Sequence, residues 1–471
     1  MTSRSKPLRG LPAVETLLRH PLLAAAGADV PRLLLVESIR AELARERSRL
    51  REGEAVSAAA EVLAERALRR AGEAFRPQLR RVLNATGIVL HTNLGRAPLA
   101  APARAAVAGV ADGYCSLEYE IGTGRRGDRG AGVERWLRRL TGAEAALAVN
   151  NGAAAVLLVL SALAVGRRVL VSRGELVEIG GSFRVPEILE KSGAALVEVG
   201  TTNRTHLRDY ERALARHHDV AAILRVHPSN FRIAGFTTRP GLEELCALAH
   251  RRRVALIEDL GSGALLDLVP FGLEHEPTVH ESLAAGCDVV TCSGDKLLGG
   301  SQAGLVLGRR RWVDRARKDP LARALRLDKL ALAALEATLP LYADPDRAVR
   351  EVPVLAMLRL TPEELERRAR RLAAALEERI PGLRTAVIRG HGEVGGGALP
   401  LQKLPGWVVE IQQRGHDAQT LERLARAAEP PVIGTIRAGR WRLDPRTLSA
   451  AELDEVVEVL ARAFGPGDSS G

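Results

Sequence analysis

The chain has 471 residues, with 68 Lys+Arg against 57 Asp+Glu and a formal net charge of +11. Its length allows two or three domains around a large core, and with aromatics at 3% that core must be built mainly from Ala, Leu and Val. No stretch approaches the ~20 uncharged apolar residues of a membrane-spanning helix, and no apolar segment follows Arg4, Lys6 and Arg9 as a secretory signal would require.

Cys115, Cys246, Cys287 and Cys292 lack the paired spacing of a metal or redox site, so buried free thiols in a soluble cytoplasmic protein are expected, with no metal. The positive balance favours a polyanionic partner only weakly, because nearly all of it is written as arginine throughout the chain.

Residues 11 to about 75 carry Leu33, Leu34, Leu35, Ile39, Leu43 and Leu50 at helical spacing with Arg and Glu between them. A small helical module, 1–75, is expected. Arg40, Arg45, Arg47, Arg49, Arg51, Arg69 and Arg70 are its candidate phosphate contacts, although a charge run on a helix is commonly just a solvated face.

From 76 to 340 apolar strands alternate with helices, including 168–171, 195–199 and 221–226. That pattern predicts a mostly parallel sheet covered on both faces. The run Ala145 to Val149 reads as a strand that turns through Asn150-Asn151-Gly152-Ala153 into an Ala/Leu/Val helix. The free N–H groups and dipole at such a helix start can hold a phosphate without a cationic side chain. His227 follows the strand 221–226 and is a candidate for stacking on or bonding a bound ring, while Glu175, Arg173 and His91 are weaker candidates.

The strand 254–260 ends in Asp259 and a Gly-rich turn, and a second apolar strand, 288–292, leads into Ser293-Gly294-Asp295-Lys296-Leu297-Leu298-Gly299-Gly300. The chain has only six lysines (Lys6, Lys191, Lys296, Lys318, Lys329, Lys403), so a lysine kept among glycines points to amine chemistry. Arginine cannot act as an amine nucleophile, whereas a desolvated lysine can. The Asp295-Lys296-Leu297 order excludes a P-loop. A lysine, an acid 37 positions earlier on a neighbouring strand end (296 − 259), and an anion-binding helix start together are the devices that pyridoxal 5'-phosphate (PLP) requires. Open α/β sheets bind ligands at that edge.

Beyond 340, helix 362–378, strands and a final helix near 451–464 predict a smaller C-terminal domain, 341–471. The Gly395-Gly396-Gly397 stretch and the tail from Gly465 read as low-complexity, mobile segments.

Several of these runs together resemble one family. They are Asn84-Ala85-Thr86-Gly87-Ile88-Val89-Leu90-His91-Thr92-Asn93-Leu94-Gly95-Arg96, the Asn150-Asn151 helix start, Arg173 to Arg184, Ser293 to Gly304, and Pro430-Pro431-Val432-Ile433-Gly434. As a set, spread over nearly the whole chain, they look like bacterial L-seryl-tRNA(Sec) selenium transferases. Two departures are visible: Ser301, where the family usually has proline, and Gly152, where a third asparagine is expected.

The resemblance implies an aminotransferase-like PLP fold of type I with a helical tRNA-binding domain in front. It implies conversion of seryl-tRNA(Sec) to selenocysteyl-tRNA(Sec) with selenophosphate, through an aminoacrylyl intermediate. Lys296 would hold PLP and Asp259, Asn151, Gly152, Ala153, Ser293 and His227 would bind it. Arg96, Arg323 and Arg326 would bind the anionic substrate, the last two expected on one helix face three residues apart. The family further implies a homodecamer, a pentamer of dimers with sites between subunits. A small-molecule PLP lyase or aldolase is the alternative, disfavoured by the helical module; a catalytically inert RNA-binding scaffold is disfavoured by the intact Lys296.

Overall fold

The computed structural model describes residues 10–54, 59–180 and 183–465. The chain divides into two compact units, at Arg81/Val82 rather than at the expected 75/76. Helix Ala60–Phe75 does end at 75, but the irregular residues after it stay with the helical unit, and the second unit starts with the strand Leu83–Asn84.

The first unit has helices Val14–Leu18, Pro21–Ala26, Arg32–Arg51 and Ala60–Phe75. Leu17, Leu23, Leu35, Ile39, Leu43, Leu63, Ala64 and Ala67 form its core. Leu35, Ile39 and Leu43 recur at four-residue steps, which is why one stripe of the long helix is buried. Leu33 falls outside that stripe and is exposed. Glu46 is fully buried on this helix, and Arg66 reaches it at 2.7 Å and Arg49 at 3.3 Å.

The second unit holds a seven-stranded sheet ordered Ala145–Val149, Gly304–Gly308, Val289–Ser293, Ala255–Gly261, Val220–Val226, Arg168–Ser172, Ala195–Val199. All neighbours are parallel except those of Gly304–Gly308, which runs antiparallel to both of its partners. The central strands are buried on both faces, so they read as continuous Ala/Val/Leu/Ile runs. Two apolar layers, one led by Leu170, Ile223 and Leu256 and the other by Val169, Leu224 and Ile257, cover the faces.

The antiparallel strand has a direct consequence. A parallel return would need a crossover of a dozen or more residues, whereas an antiparallel one needs only a short link. Val289–Ser293 and Gly304–Gly308 are therefore joined by residues 294–303 alone, and Lys296 is carried on that link at the strand-end edge of the sheet.

A second, five-stranded sheet is ordered Thr435–Arg437, Arg440–Leu443, Lys403–Gln413, Leu383–Gly395, Ile88–Leu90. Helices Pro362–Arg379 and Ala450–Phe464 cover it around Trp441, Leu372 and Leu460. The expected division of 76–340 from 341–471 is not a simple cut. Ile88–Leu90 pairs in parallel with Leu383–Gly395 and Leu83–Asn84 with Val432–Ile433, so the chain begins in the smaller sheet before entering the larger one. All of 82–471 forms one contact unit.

Candidate active site

The link carrying Lys296 is fixed by its own backbone and its neighbours. Gly294 N–H donates to Ala303 O (2.9 Å) and Gly300 N–H to Gly294 O (2.8 Å), while Leu297 N–H reaches Ser262 O (3.1 Å). The Tyr342 hydroxyl donates to Leu298 O at 2.7 Å. Ser301, in the place of the expected proline, donates its hydroxyl to Ala331 O at 2.7 Å and so adds a further anchor.

Lys296 is only 6% exposed. Burial lowers the proton affinity of its amine, with Arg96 acting in the same direction and Asp259 and Asp295 against it. Arg96, held at φ 60°, donates to Asp295 Oδ2 at 2.7 Å.

Asp259 lies on the adjacent strand, two residues from its end, and is 7% exposed. Thr291, its register partner on Val289–Ser293, donates Oγ1–H to Oδ1 at 2.9 Å. Burial raises the proton affinity of this carboxyl, opposed by the Thr291 bond and by Lys296 and His227. A buried carboxyl with one oxygen anchored by Thr291 is suited to a cationic ring N–H.

Asn151 caps helix Gly152–Ala164, its Oδ1 accepting from Ala154 N at 2.8 Å. The N–H groups of Gly152 and Ala153 precede the helical ladder and are free to face an anion. Ser293 closes this corner: a Cβ placed on Gly152 would sit 2.8 Å from Ser293 Oγ, so the departure from asparagine leaves room that Ser293 occupies.

His227 N–H donates to Asp259 O at 2.9 Å, and His227 Nε2 lies 3.4 Å from Glu276 Oε1. Four buried polar atoms here, His227 Nε2, Glu276 Oε1, Ser229 Oγ and Ser262 Oγ, have no hydrogen-bond partner among the described residues. A polar ligand could satisfy some of them. A cofactor with an aldehyde, a ring nitrogen and a phosphate matches the donor set of amine, carboxyl and helix start, so these residues fit PLP.

Sequence reasoning missed one neighbour of Lys296. The Gly395–Gly397 stretch, read as mobile, packs against it: a Cβ on Gly397 would lie 2.5 Å from Lys296 Nζ and 2.6 Å from Cε. Gly397 also has φ +90°, which side-chain-bearing residues rarely adopt. A Gly triplet is an ambiguous signal, and only the pairing of Leu383–Gly395 with Ile88–Leu90 brings it to the site. The expected mobile tail lies, from residue 466 on, outside the described residues, as do Gly181 and Ser182 of the Arg173 to Arg184 run.

Arg323 and Arg326 do not share a helix. Helix Pro320–Ala324 ends before Arg326, because Leu325 O accepts Asn150 N–H at 2.9 Å and Arg326 forms an antiparallel bridge with Val149. Both nevertheless line one cavity of about 510 Å³ with Arg126, Arg129 and Glu118, and Arg96 is not among its lining residues. Glu118 accepts from Arg129 (2.9 Å) and Arg126 (3.0 Å), with Arg326 3.6 Å away.

The weaker candidates separate. Glu175 is buried and committed to Val226 N–H (3.0 Å) and Arg239 (2.9 Å), a supporting role for the strand that precedes His227. Arg173 pairs with Glu198 at 2.7 Å on the surface. His91 lines a cavity of about 560 Å³ together with Thr92, Asn93 and Gly395–Gly397, and burial lowers its proton affinity. Cys246, Cys287 and Cys292 are buried and Cys115 is exposed. Among the described residues no helix is long and apolar enough to cross a membrane.

Comparison with known proteins gives a consistent picture. A family model described as L-seryl-tRNA selenium transferase matches residues 82–449, and one for the selenocysteine synthase N-terminus matches 8–47. L-seryl-tRNA(Sec) selenium transferase of Nitratidesulfovibrio vulgaris is 50% identical, the alignment covering 97% of this chain and 99% of that protein. The enzyme of Desulfomicrobium baculatum is 49% identical over 97% and 100%, and that of Moorella thermoacetica 48% over 97% and 97%. Among solved structures, D-glucosaminate-6-phosphate ammonia-lyase superposes with a TM-score of 0.55 at 22% identity, covering 82% of this chain and 96% of that one; the likeness is one of fold.

Proposed function

We infer the chemistry of this chain from one premise: it belongs to the L-seryl-tRNA selenium transferase family. It is a PLP-dependent transferase that converts L-seryl-tRNA(Sec) to L-selenocysteyl-tRNA(Sec). The observation that carries the residue assignment is the juxtaposition of the buried Lys296 amine, on the link between two strands, with Asp259 near the end of the adjacent strand.

Bound PLP supplies an aldehyde for amines and a ring that withdraws electrons from the serine Cα. Lys296 Nζ would be the group that holds the cofactor's aldehyde, and it would be released when the amino group of the tRNA-bound serine takes its place. Its freed amine, whose proton affinity burial lowers, would take the Cα proton. That same Nζ proton is placed to leave with the β-hydroxyl as water. Asp259, anchored by Thr291, would keep a proton on the ring nitrogen. The Gly152 and Ala153 N–H groups at the helix start capped by Asn151, and the Ser293 hydroxyl, would hold the phosphate, and His227 would lie beside the ring. Gly397 leaves room for the lysine chain to swing.

Selenophosphate is the selenium donor in this reading, and Arg96, Arg323 and Arg326 orient its phosphate with fixed, planar charge. In one chain Arg96 pairs with Asp295, away from the cavity that holds Arg323 and Arg326. This separation is consistent with a site assembled across a subunit contact; a homodecamer of five dimers, in the cytoplasm, is part of this reading. The helical unit, 1–81, provides the tRNA grip. Arg40, Arg47, Arg51 and Arg69 are exposed on it, without ion pairs among the described residues, and are its better phosphate contacts. Arg49 is engaged with Glu46 and Glu54, and Arg45 and Arg70 lie near Glu42.

The test is selenium transfer from selenophosphate to seryl-tRNA(Sec) by the purified protein, with free serine and amino sugar acid phosphates as competing substrates. Turnover of a small molecule with no transfer to tRNA would overturn the reading.

A further inference from the structure

Glu276 is buried, 2% exposed, in the loop ahead of helix Val279–Ala284, and the chemistry above gives it no part. Its two carboxylate oxygens face two different segments. Oε1 lies 3.4 Å from His227 Nε2, and Oε2 accepts the Leu399 N–H at 3.3 Å. Glu276 Oε1 and His227 Nε2 are both buried, and among the described residues neither makes a hydrogen bond, to the other or elsewhere. A carboxylate oxygen can only accept, so an imidazole facing it must present Nε2 as the donor.

Each of the two segments ends at the Lys296 amine. On one side, His227 is tied through its own N–H to the Asp259 carbonyl, and Ser229 lies with Lys296 around Gly261: a Cβ there would be 3.5 Å from Ser229 Oγ and 3.8 Å from Lys296 Nζ. On the other side, Leu399 stands two residues beyond Gly397, the residue packed on Nζ. Leu399 has φ +46°, a strained conformation for a side-chain-bearing residue that persists only where neighbours over-determine it. The Glu276 bond to its N–H is such a determinant. A buried carboxylate is a poor device for stability alone, since well-packed apolar groups do as well.

We propose that Glu276 is a positioning residue, which fixes the His227 imidazole with Nε2 as donor and pins the Gly395–Leu399 loop over Lys296. The proposal rests on the assignment of Lys296 and His227 to the PLP site. Removing the carboxylate frees both segments, and the cofactor loses two of its walls.

The experiment uses the full-length protein as wild type, Glu276→Gln and Glu276→Ala. Each is stripped of cofactor and titrated with PLP by absorbance, then assayed for kcat and KM with seryl-tRNA(Sec), with thermal melts as a check on folding. Glu276→Ala should bind PLP at least about tenfold more weakly and lose about ten- to a hundredfold in kcat, the scale of a misplaced catalytic wall, with KM for the tRNA within about threefold. Glu276→Gln keeps an oxygen for Leu399 N–H, so its PLP affinity should stay within about threefold of wild type, while its kcat falls because a neutral amide orients His227 less well. A folded Glu276→Ala protein with wild-type PLP affinity and kcat overturns the proposal. If Glu276→Ala does not fold, Glu276→Gln decides alone: a kcat equal to wild type overturns the His227 part, and a tenfold loss of PLP affinity overturns the loop assignment. A wild type that binds PLP but transfers no selenium defeats the functional reading instead, and the PLP titrations still test Glu276.

Discussion

Lys296 is an amine on a short, heavily anchored link, and the anchoring explains why it can be both buried and reactive. Its burial lowers its proton affinity while the burial of Asp259 raises that carboxyl's, so each group's charged form depends on a partner. The sign of the Asp259 effect gives a test. With a folded-state pKa above the ordinary 3.8, the folded protein binds this proton more tightly than the unfolded chain, so the carboxyl's contribution to stability is lost as pH rises through the elevated value. In cofactor-free protein, Asp259→Asn should therefore gain in melting temperature relative to wild type as pH is raised from near 3.8 through that window. The same variant should show little transfer, because an amide does not hold the ring proton. A melting-temperature difference that is flat with pH would refute this account of Asp259.

Gly397 belongs to the same scale. Gly397→Ala puts a methyl within 2.5 Å of Nζ on a backbone at φ +90°, and should cost about 1–3 kcal/mol of stability together with a weaker PLP absorption band. Melting and absorbance on one sample check both. Neither residue was equally visible beforehand. Lys296 and Asp259 sit at strand ends, where apolar runs stop, and strand ends can be read locally. Gly397, Glu276, Thr291 and Ser229 meet only through pairings between segments far apart in sequence, and a local pattern carries no trace of those.

At the scale of elements, the alternation of apolar runs with helical periodicity was enough to place the central sheet and its ligand-binding edge. The helix that starts at Gly152 was legible from its cap, since Asn followed by small residues is a start signal with a mechanism. Asn151→Ala should destabilise the protein by about 1 kcal/mol and weaken PLP binding, as measured by chemical denaturation and absorbance titration. Unchanged PLP affinity would remove this helix start from the phosphate site. The helix expected to carry Arg323 and Arg326 failed for a tertiary reason: Asn150 N–H takes the Leu325 carbonyl, and Arg326 joins Val149 in a bridge. Leu and Ala propensity would have continued the helix, but the strand end competed for its backbone.

At the scale of the whole molecule, 82–471 holds the residues assigned to the cofactor and 1–81 folds around a core of its own. Deleting residues 1–81 should leave the PLP absorption band intact and abolish binding of seryl-tRNA(Sec) in a filter or mobility assay. Retained tRNA affinity would move the grip to the larger unit. The domain boundaries were legible only where a helix stopped and a strand began; the return of 83–90 into the C-terminal sheet was not, because short strands of two and three residues leave almost no periodic signal.

In the proposed chemistry one buried amine, Lys296, acts on a serine carried by tRNA, and single-turnover selenium transfer from selenophosphate to seryl-tRNA(Sec), comparing wild type with Lys296→Ala at matched tRNA occupancy, decides whether it does. Wild type should yield selenocysteyl-tRNA(Sec), and Lys296→Ala only background levels with tRNA binding preserved. Undiminished transfer by Lys296→Ala would rule out this lysine as the reacting amine.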